Sequence, residues 1–451
     1  MPDSENSSKD KSPKIIKNYS DLIETKRLFP KMDNKQIATR VDMTLPTLYR
    51  AYRELSDPEV KVFTPDNSLN STFASFLGIS IGASICKVVI IDMTFEQFDD
   101  ERIRKYLSSV RDKLLDILPK DKRNLLGKCK TNIDDPKKVT KYIYFDTPEK
   151  FSDLKNCIDC IITEALLAEY DFKIKGVGIS TTGLVDQINN EIVTASNLKY
   201  LEKQDIDTLL YPECRDKLEE EKIKISLIQN TNASLLHEII KIYKSDSTKI
   251  NLKNVASLYL GVGLGVGLCL NGRLYYGANG YAGEIGHIPA LPFENELSDY
   301  KNIKDDKTKG DEFCTCGRET CYDHKIRKYV FRISASDFKE KSTDEIKDMI
   351  LSDSIHGNER LKLLGKYLGG IISYLINTLN LDAIVLSGKL YKFKEDRELL
   401  DYINMALDDY CIAASRKECD IIFSESGTLS PAQGAAIYSY YDHYGITPDW
   451  D

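Results

Sequence analysis

The chain has 451 residues, 42% of them hydrophobic and 29% charged, and a formal net charge of −8. That length exceeds one ordinary core, so about two to three domains of ordinary globular composition are expected. The acidic balance excludes a chain that binds nucleic acid over its whole surface, while leaving room for a small DNA-reading module with a basic docking face. No apolar run approaches the ~18 residues of a membrane span, and Met1–Lys17 lacks the apolar stretch of a secretion signal. A cytoplasmic chain with no membrane partner is expected. There the 11 cysteines should be reduced thiols or metal ligands rather than a disulfide framework.

Residues 1–14 are polar and charged without apolar periodicity, and read as a disordered tail. Apolar residues then recur at three- and four-residue spacings from Ile15 to about Leu55, which predicts helices. Within that span, Asn34–Leu55 has the layout of a helix-turn-helix. Ile37, Ala38 and Val41 share one face of a short helix, and Asp42 stands where the chain must turn sharply. Asp tolerates the left-handed backbone such a turn needs better than most residues. Thr44 is suited to cap a second helix, with Pro46 acceptable in its first turn.

Leu48 and Ala51 would face inward. That leaves Thr44, Leu45, Pro46 and Thr47 at the N-terminus of the second helix, with Tyr49, Arg50 and Arg53 along it, free to meet a DNA groove. Lys35, Arg40, Arg50 and Arg53 could meet phosphates, the source of most of the affinity. The polar Thr64–Ser71 stretch closes this 15–72 unit as a linker.

Phe73–Asp92 reads as two strands joined by a tight turn. The stretch Glu96–Lys150 is charged and weakly periodic, and part of it is expected to be an insertion; Phe293–Asp311 is a second one, and both read as solvated loops. Helical and extended segments alternate from Phe151 onward, including helical Leu154–Tyr170, extended Gly176–Ser180, helical Asn232–Tyr243 and extended Val255–Leu260. That alternation implies α/β domains. No repeat of about 20–50 residues is evident.

A metal centre is the strongest local signal. Gly283-Glu-Ile-Gly-His287 is followed by Cys314-Thr-Cys-Gly-Arg-Glu-Thr-Cys321, a Gly-containing loop able to wrap thiolates around one ion. Cys314, Cys316 and Cys321 with His287 supply the three-Cys, one-His set of a structural Zn2+ site. Cys157 and Cys160 lie in an apolar helical stretch without a His and are expected to be core residues.

Together with the glycine-rich run Gly261-Val-Gly-Leu-Gly-Val-Gly267, these residues give a chain that resembles the ROK family of repressors, open reading frames and kinases, in its transcriptional-regulator branch. The resemblance runs from about Leu77 to the C-terminus. It implies an α/β, two-lobed actin/hexokinase-like (ribonuclease H-like) sugar-kinase fold, preceded by an all-α (winged) helix-turn-helix domain. The lobes would span 73–245 and 246–451, with the last helix packing back on the first lobe.

The resemblance also implies a sugar cleft formed by Gln229, Asn230, Glu284, His287, Asp323 and Asn197, beside a nucleotide site at Ser80, Gly82, Ser84, Gly261, Gly263 and Gly265. Three departures mark that nucleotide site as degenerate. Ser80 stands where the family's kinases have the Asp that helps hold Mg2+, Asn230 where they have the catalytic Asp, and Val262 where they have Thr. A carboxamide cannot accept the proton of an attacking hydroxyl as a carboxylate does. The expectation is therefore a non-enzymatic regulator, with ATP and Mg2+ not required. It would bind operator DNA as a homodimer or homotetramer and respond to a sugar or sugar-phosphate effector. The alternatives are a zinc-containing, ATP-dependent, glucokinase-like sugar kinase, and a regulator controlled by a protein partner.

Overall fold

Ser75-Phe-Leu-Gly-Ile-Ser-Ile81 is buried at every position, as a strand covered on both faces must be. In the computed structural model it is the central strand β1 of a five-stranded sheet. The structure describes residues 12–58, 60–98, 101–123, 126, 141–187, 189–245, 252–290, 314, 316–334, 337–338, 341, 343–353 and 357–448. The tail expected at 1–14 lies outside these up to residue 11; helix α1 (Ser12–Asn18) follows. The Phe293–Asp311 stretch also lies outside them.

The first sheet has the order β3-β2-β1-β4-β8, with β2 Ile85–Asp92, β3 Ile143–Asp146, β4 Ile174–Thr181 and β8 Lys224–Gln229. Between β4 and β8 lies a small sheet of β5 Leu184–Asp186, β6 Glu191–Thr194 and β7 Gln204–Asp205. The second large sheet has the order β11-β10-β9-β12-β13, with β9 Val255–Leu260, β10 Leu264–Leu270, β11 Arg273–Leu274, β12 Ala383–Gly388 and β13 Asp420–Phe423. In each, an antiparallel hairpin leads to two parallel strands: β1/β2 and β2/β3 are antiparallel while β1/β4 and β4/β8 are parallel. The same holds for β9/β10, β10/β11, β9/β12 and β12/β13. The molecule thus contains one topology twice, a duplication that leaves no visible repeat in the residues.

Helices α5 (Glu101–Ile117), α6 (Phe151–Ala165) and α7 (Pro212–Glu220) share a core with one face of the first sheet, through residues such as Tyr106, Leu107, Ile158 and Leu218. Here the structure departs from the sequence-based expectation. Much of the supposed insertion at 96–150 is structural: α5 buries Ile103, Tyr106, Leu107, Val110 and Leu114, and β3 pairs with β2. The charged outer face of α5 hides a helical stripe of inward residues. Cys157 is buried in α6, as its apolar setting implies.

Helix α8 (Asn230–Ser245) packs against both large sheets. The second sheet is completed by α9 (Tyr322–Lys325), α10 (Thr343–Leu351), α11 (Gly357–Leu379), α12 (Arg397–Tyr410) and α13 (Ala413–Lys417). The last helix, α14 (Ser430–Tyr444), returns to lie on β1, β4, β8 and α8. Glycines make that approach possible. A Cβ at Gly178 would sit 1.8 Å from the Ala435 carbonyl oxygen, and one at Gly78 2.0 Å from that of Ala432.

The N-terminal helices α2 (Ser20–Leu28), α3 (Asn34–Arg40) and α4 (Leu45–Leu55) share one apolar core with this body, in which Leu22, Ile37 and Leu48 join Phe76, Ile91 and Tyr440. The Thr64–Ser71 stretch is a small hairpin rather than a plain linker. Phe63 bridges to Leu69 antiparallel, and Asn67 takes a left-handed φ of 62° in its turn.

Gly178→Ala should lower the urea midpoint of unfolding, at a cost of about 1–3 kcal/mol for overpacking. A Leu351→Ala control, at a residue 47% exposed, should change it little.

Candidate functional site

The turn between β1 and β2 and its counterpart between β9 and β10 face one cavity of about 440 Å³. Every residue expected in the sugar and nucleotide sites lines it: Ser80, Gly82, Ser84, Gly261, Gly263 and Gly265 from the two turns, and Asn197, Gln229, Asn230, Glu284, His287 and Asp323 around them. Repetition of one hairpin in both sheets aims the two glycine turns at a shared space.

The two positions that lack the expected carboxylates are bonded to each other. Ser80 Oγ donates to Asn230 Oδ1 at 3.2 Å, and Asn230 Nδ2 donates to the Ile81 carbonyl at 3.3 Å. Beside them Gln229 Nε2 donates to Glu284 Oε1 at 3.1 Å, and Glu284 Oε2 lies 3.7 Å from His287 Nε2. Gln229 Oε1 and Thr231 Oγ1 are buried without a hydrogen-bond partner among the described residues. Buried polar atoms are nearly always paired, so orphans at a cavity wall fit a ligand rich in hydroxyls. Asp323 faces the cavity differently from Glu284. Its Oδ1 accepts from Leu264 N at 3.0 Å and its Oδ2 lies 3.6 Å from Arg327 Nη1, so it also anchors the second glycine turn.

His287, Cys314, Cys316 and Cys321 come together with all their ligand atoms within 4.8 Å of one another. Cys314 Sγ is 3.4 Å from His287 Nδ1, and Cys316 Sγ is 4.0 Å from Cys321 Sγ. Tetrahedral coordination at ordinary Zn–S and Zn–N lengths places donors ~3.5–3.8 Å apart, so the set fits a four-coordinate ion. Hydrogen bonding from Cys321, opposed by burial and reinforced by His287, pulls the Cys314 thiol far below its ordinary range. Thiolates are what such an ion binds. The His ring therefore presents Nδ1 to the thiols and Nε2 to Glu284 at the cavity, joining the two sites.

At the N-terminal end, Asp33 accepts from the Lys35 and Gln36 amides in a capping box, and Thr44 accepts from the Thr47 amide. Asp42 has the left-handed φ of 48° that its place in the turn requires. Lys35, Thr44, Pro46, Thr47, Tyr49, Arg50 and Arg53 are exposed, while Leu45 is half-buried. Ile37, Ala38, Leu48 and Ala51 are buried. With Arg40, also exposed, the nine residues expected to meet DNA thus lie on α3, on α4 and at its N-cap Thr44, eight of them open to solvent.

Arg27 was not singled out from sequence. It is 2% exposed, donates from Nε to the Met93 carbonyl at 2.8 Å, and pairs with Glu24. Its guanidinium lies 3.9 Å from the Phe95 ring centre and 4.3 Å from that of Tyr440, and Tyr441 donates to Glu24 at 3.2 Å. α14 therefore meets α2 through a buried ion pair clamped by aromatic rings, with nothing in local composition to announce it.

Glu238 on α8 is buried, and Ser424 Oγ donates to its Oε1 at 2.7 Å. Burial, only partly offset by that hydrogen bond, pushes its carboxyl up to about 7. A raised acid favours the fold while protonated: the benefit is full below the ordinary ~4.3 of Glu and is lost as pH rises through about 7. Glu238→Gln should flatten the fall in melting temperature between about pH 5 and 8, checked by thermal melts across that range.

Comparison with known proteins bears on the family and the fold. The sequence pattern of the ROK family matches residues 132–440. The chain is 26% identical to a xylose repressor of Bacillus spizizenii over 260 residues, 57% of this chain and 59% of that protein. It is 26% identical to a glucokinase of Halalkalibacterium halodurans over 234 residues, 48% of this chain and 62% of that protein. The chain therefore spans less than two thirds of the length of either relative. A solved ROK family transcriptional regulator, a homolog of the Escherichia coli MLC protein, superposes with a TM-score of 0.59 at 16% identity, covering 95% of this chain and 98% of that one. That likeness establishes the two-lobed α/β fold. With well over half its length matched by the family pattern, the chain belongs to the ROK family.

Proposed function

We propose that this protein is a transcriptional regulator that binds operator DNA through α3 and α4, senses a sugar or sugar phosphate in the cleft, and no longer transfers phosphate. The carrying observation is the 3.2 Å hydrogen bond between Ser80 and Asn230, two neutral side chains at the positions where the family's kinases use carboxylates. An uncharged pair supplies neither a Mg2+ ligand nor a base for the sugar hydroxyl. Loss of a positioned base alone costs about two to four orders of magnitude in rate. The exposed residues of α3 and α4 give the chain a surface that phosphoryl transfer does not need.

Zinc is the metal this donor set favours, held by Cys314, Cys316, Cys321 and His287 in a structural site. In that role the ion fixes His287, and with it the Glu284 end of the cleft. Helix α14 is suited to carry the signal. Thr428 just before it lines the cleft, Ser180 donates to the Pro431 carbonyl at 3.2 Å, and Tyr440 and Tyr441 hold the Arg27–Glu24 pair of α2. A sugar that binds one lobe arrangement better than the other would move α14 against α2, and through a twofold-symmetric dimer would change the spacing of two DNA modules.

The test begins with an operator duplex selected from random sequence. Its affinity should shift when sugars and sugar phosphates are titrated, and purified protein should not consume ATP on the same panel. Arg50→Ala should weaken binding to every duplex and reduce the slope of log affinity against log salt by about one. Enzyme-like ATP turnover would replace this reading with the kinase one. DNA affinity indifferent to every sugar, yet changed by cell lysate, would point to a protein partner. Metal analysis should give one zinc per chain, and Cys321→Ser should lose it, lower the melting temperature and blunt the sugar response; full stability without metal would refute the structural role.

A further inference from the structure

The lining of the cleft carries positive charge that sugar hydroxyls do not require. Lys87 on β2 and Lys389, immediately after β12, both line the cavity. Lys87 Nζ donates to the Thr428 carbonyl at 2.5 Å. Lys389 is 6% exposed, and its Nζ donates to the carbonyls of Phe338 at 3.3 Å and Lys341 at 2.9 Å. All three acceptors are neutral, and no ion pair among the described residues involves either lysine. The other cations of the lining are engaged: Arg327 with Asp323 at 3.6 Å, and Lys341 with Glu345 at 3.1 Å.

Lys389 is buried and Lys87 half-buried, and holding two ammonium groups at one cavity with no ion-pair partner among the described residues is costly, although Glu345 offsets part of the cost at Lys389. Burial pushes Lys87 down to about 7, with repulsion from Lys389 adding to it, and burial pushes Lys389 down to about 8. An anion in the cavity would relieve both. The carboxylates of the lining lie elsewhere: Glu284 beside Gln229 and His287, and Asp323 against Leu264 and Arg327. The lining of the cleft therefore combines hydroxyl-matching groups with two cations that have no ion pair among the described residues. Ser80 and Asn230 in the same lining bring no charge that would hold a divalent ion.

We propose that Lys87 and Lys389 form a phosphate subsite, so that the effector is a phosphorylated sugar whose phosphoryl group binds as a free dianion, without Mg2+. The proposal rests on the sensing role of the cleft and narrows its ligand to one class. Lysine is a point-charge partner for phosphate, and charge-assisted bonds exceed neutral ones in strength.

Calorimetry on the intact, zinc-loaded protein tests it, using pentoses, hexoses and N-acetylhexosamines, their terminal phosphate esters, inorganic phosphate, and ATP, each with and without Mg2+. One ester should bind about tenfold or more tightly than its parent sugar, with no Mg2+ dependence. Lys87→Met and Lys389→Met, made separately and verified as folded by thermal melts, should each shrink that gap while leaving the affinity for the parent sugar within about twofold.

Inorganic phosphate competing with the ester supports the subsite. ATP binding only with Mg2+, and displacing the ester, would overturn it in favour of a nucleotide. A sugar that binds as well as its ester, or an unchanged gap in both variants, also overturns it while the sensing reading stands. If no sugar and no ester binds, the sensing reading itself falls. The ester-to-sugar comparison on unmodified protein decides the matter even where a variant fails to fold.

Discussion

Close contact between the α14 backbone and strands β1 and β4 is the constraint on which the remaining geometry depends. With the Ala435 carbonyl 1.8 Å from where a Gly178 Cβ would lie, no other residue fits without displacing the helix. The sheet therefore dictates where both ends of α14 go. Its start is held near the cleft by the bond from Ser180 to Pro431, and its later turns carry Tyr440 and Tyr441 to the Arg27–Glu24 pair. Helix and sheet behave as one rigid block, because interiors packed at this density transmit displacement rather than absorb it.

At the cleft, the chemistry follows from charge more than from shape. Two glycine-bearing turns line the cavity, and beside them a hydroxyl and a carboxamide, those of Ser80 and Asn230, are bonded to each other. What remains is a surface of hydrogen-bonding groups, with Gln229 Oε1 and Thr231 Oγ1 awaiting partners. His287 links this surface to the thiol cluster by presenting one ring nitrogen to each.

Much of this was legible in the residues because the signals were local. Asp42 announced a left-handed turn, Thr44 and Pro46 a helix start, and the Cys-x-Cys loop with His287 a donor set; each depends on a few neighbouring side chains. What was missed depends on distant parts of the chain. The stripe of α5 was hidden by the charges on its outer face, and β3 is defined only by pairing with β2. Thr64–Ser71 is polar enough for a linker, yet closes a hairpin through the Phe63–Leu69 bridge. Nothing in sequence shows that Arg27, Lys87 or Lys389 is drawn inward, since the carbonyls that hold them lie 66, 341 and 51 positions away. The twofold repetition of strand order is equally silent, because topology outlasts the side chains that first encoded it.

The continuity of the apolar core from Leu22 and Leu48 into Phe76 and Tyr440 bears on how such chains diversify. The N-terminal helices grafted onto another body would keep the Arg27–Glu24 pair of α2 but lose the Phe95 and Tyr440 rings and the Met93 carbonyl that enclose its guanidinium. Recombination at the boundary of these helices is thus penalised, and change is more accessible at single exposed residues of α4 than by exchange of the whole N-terminal unit.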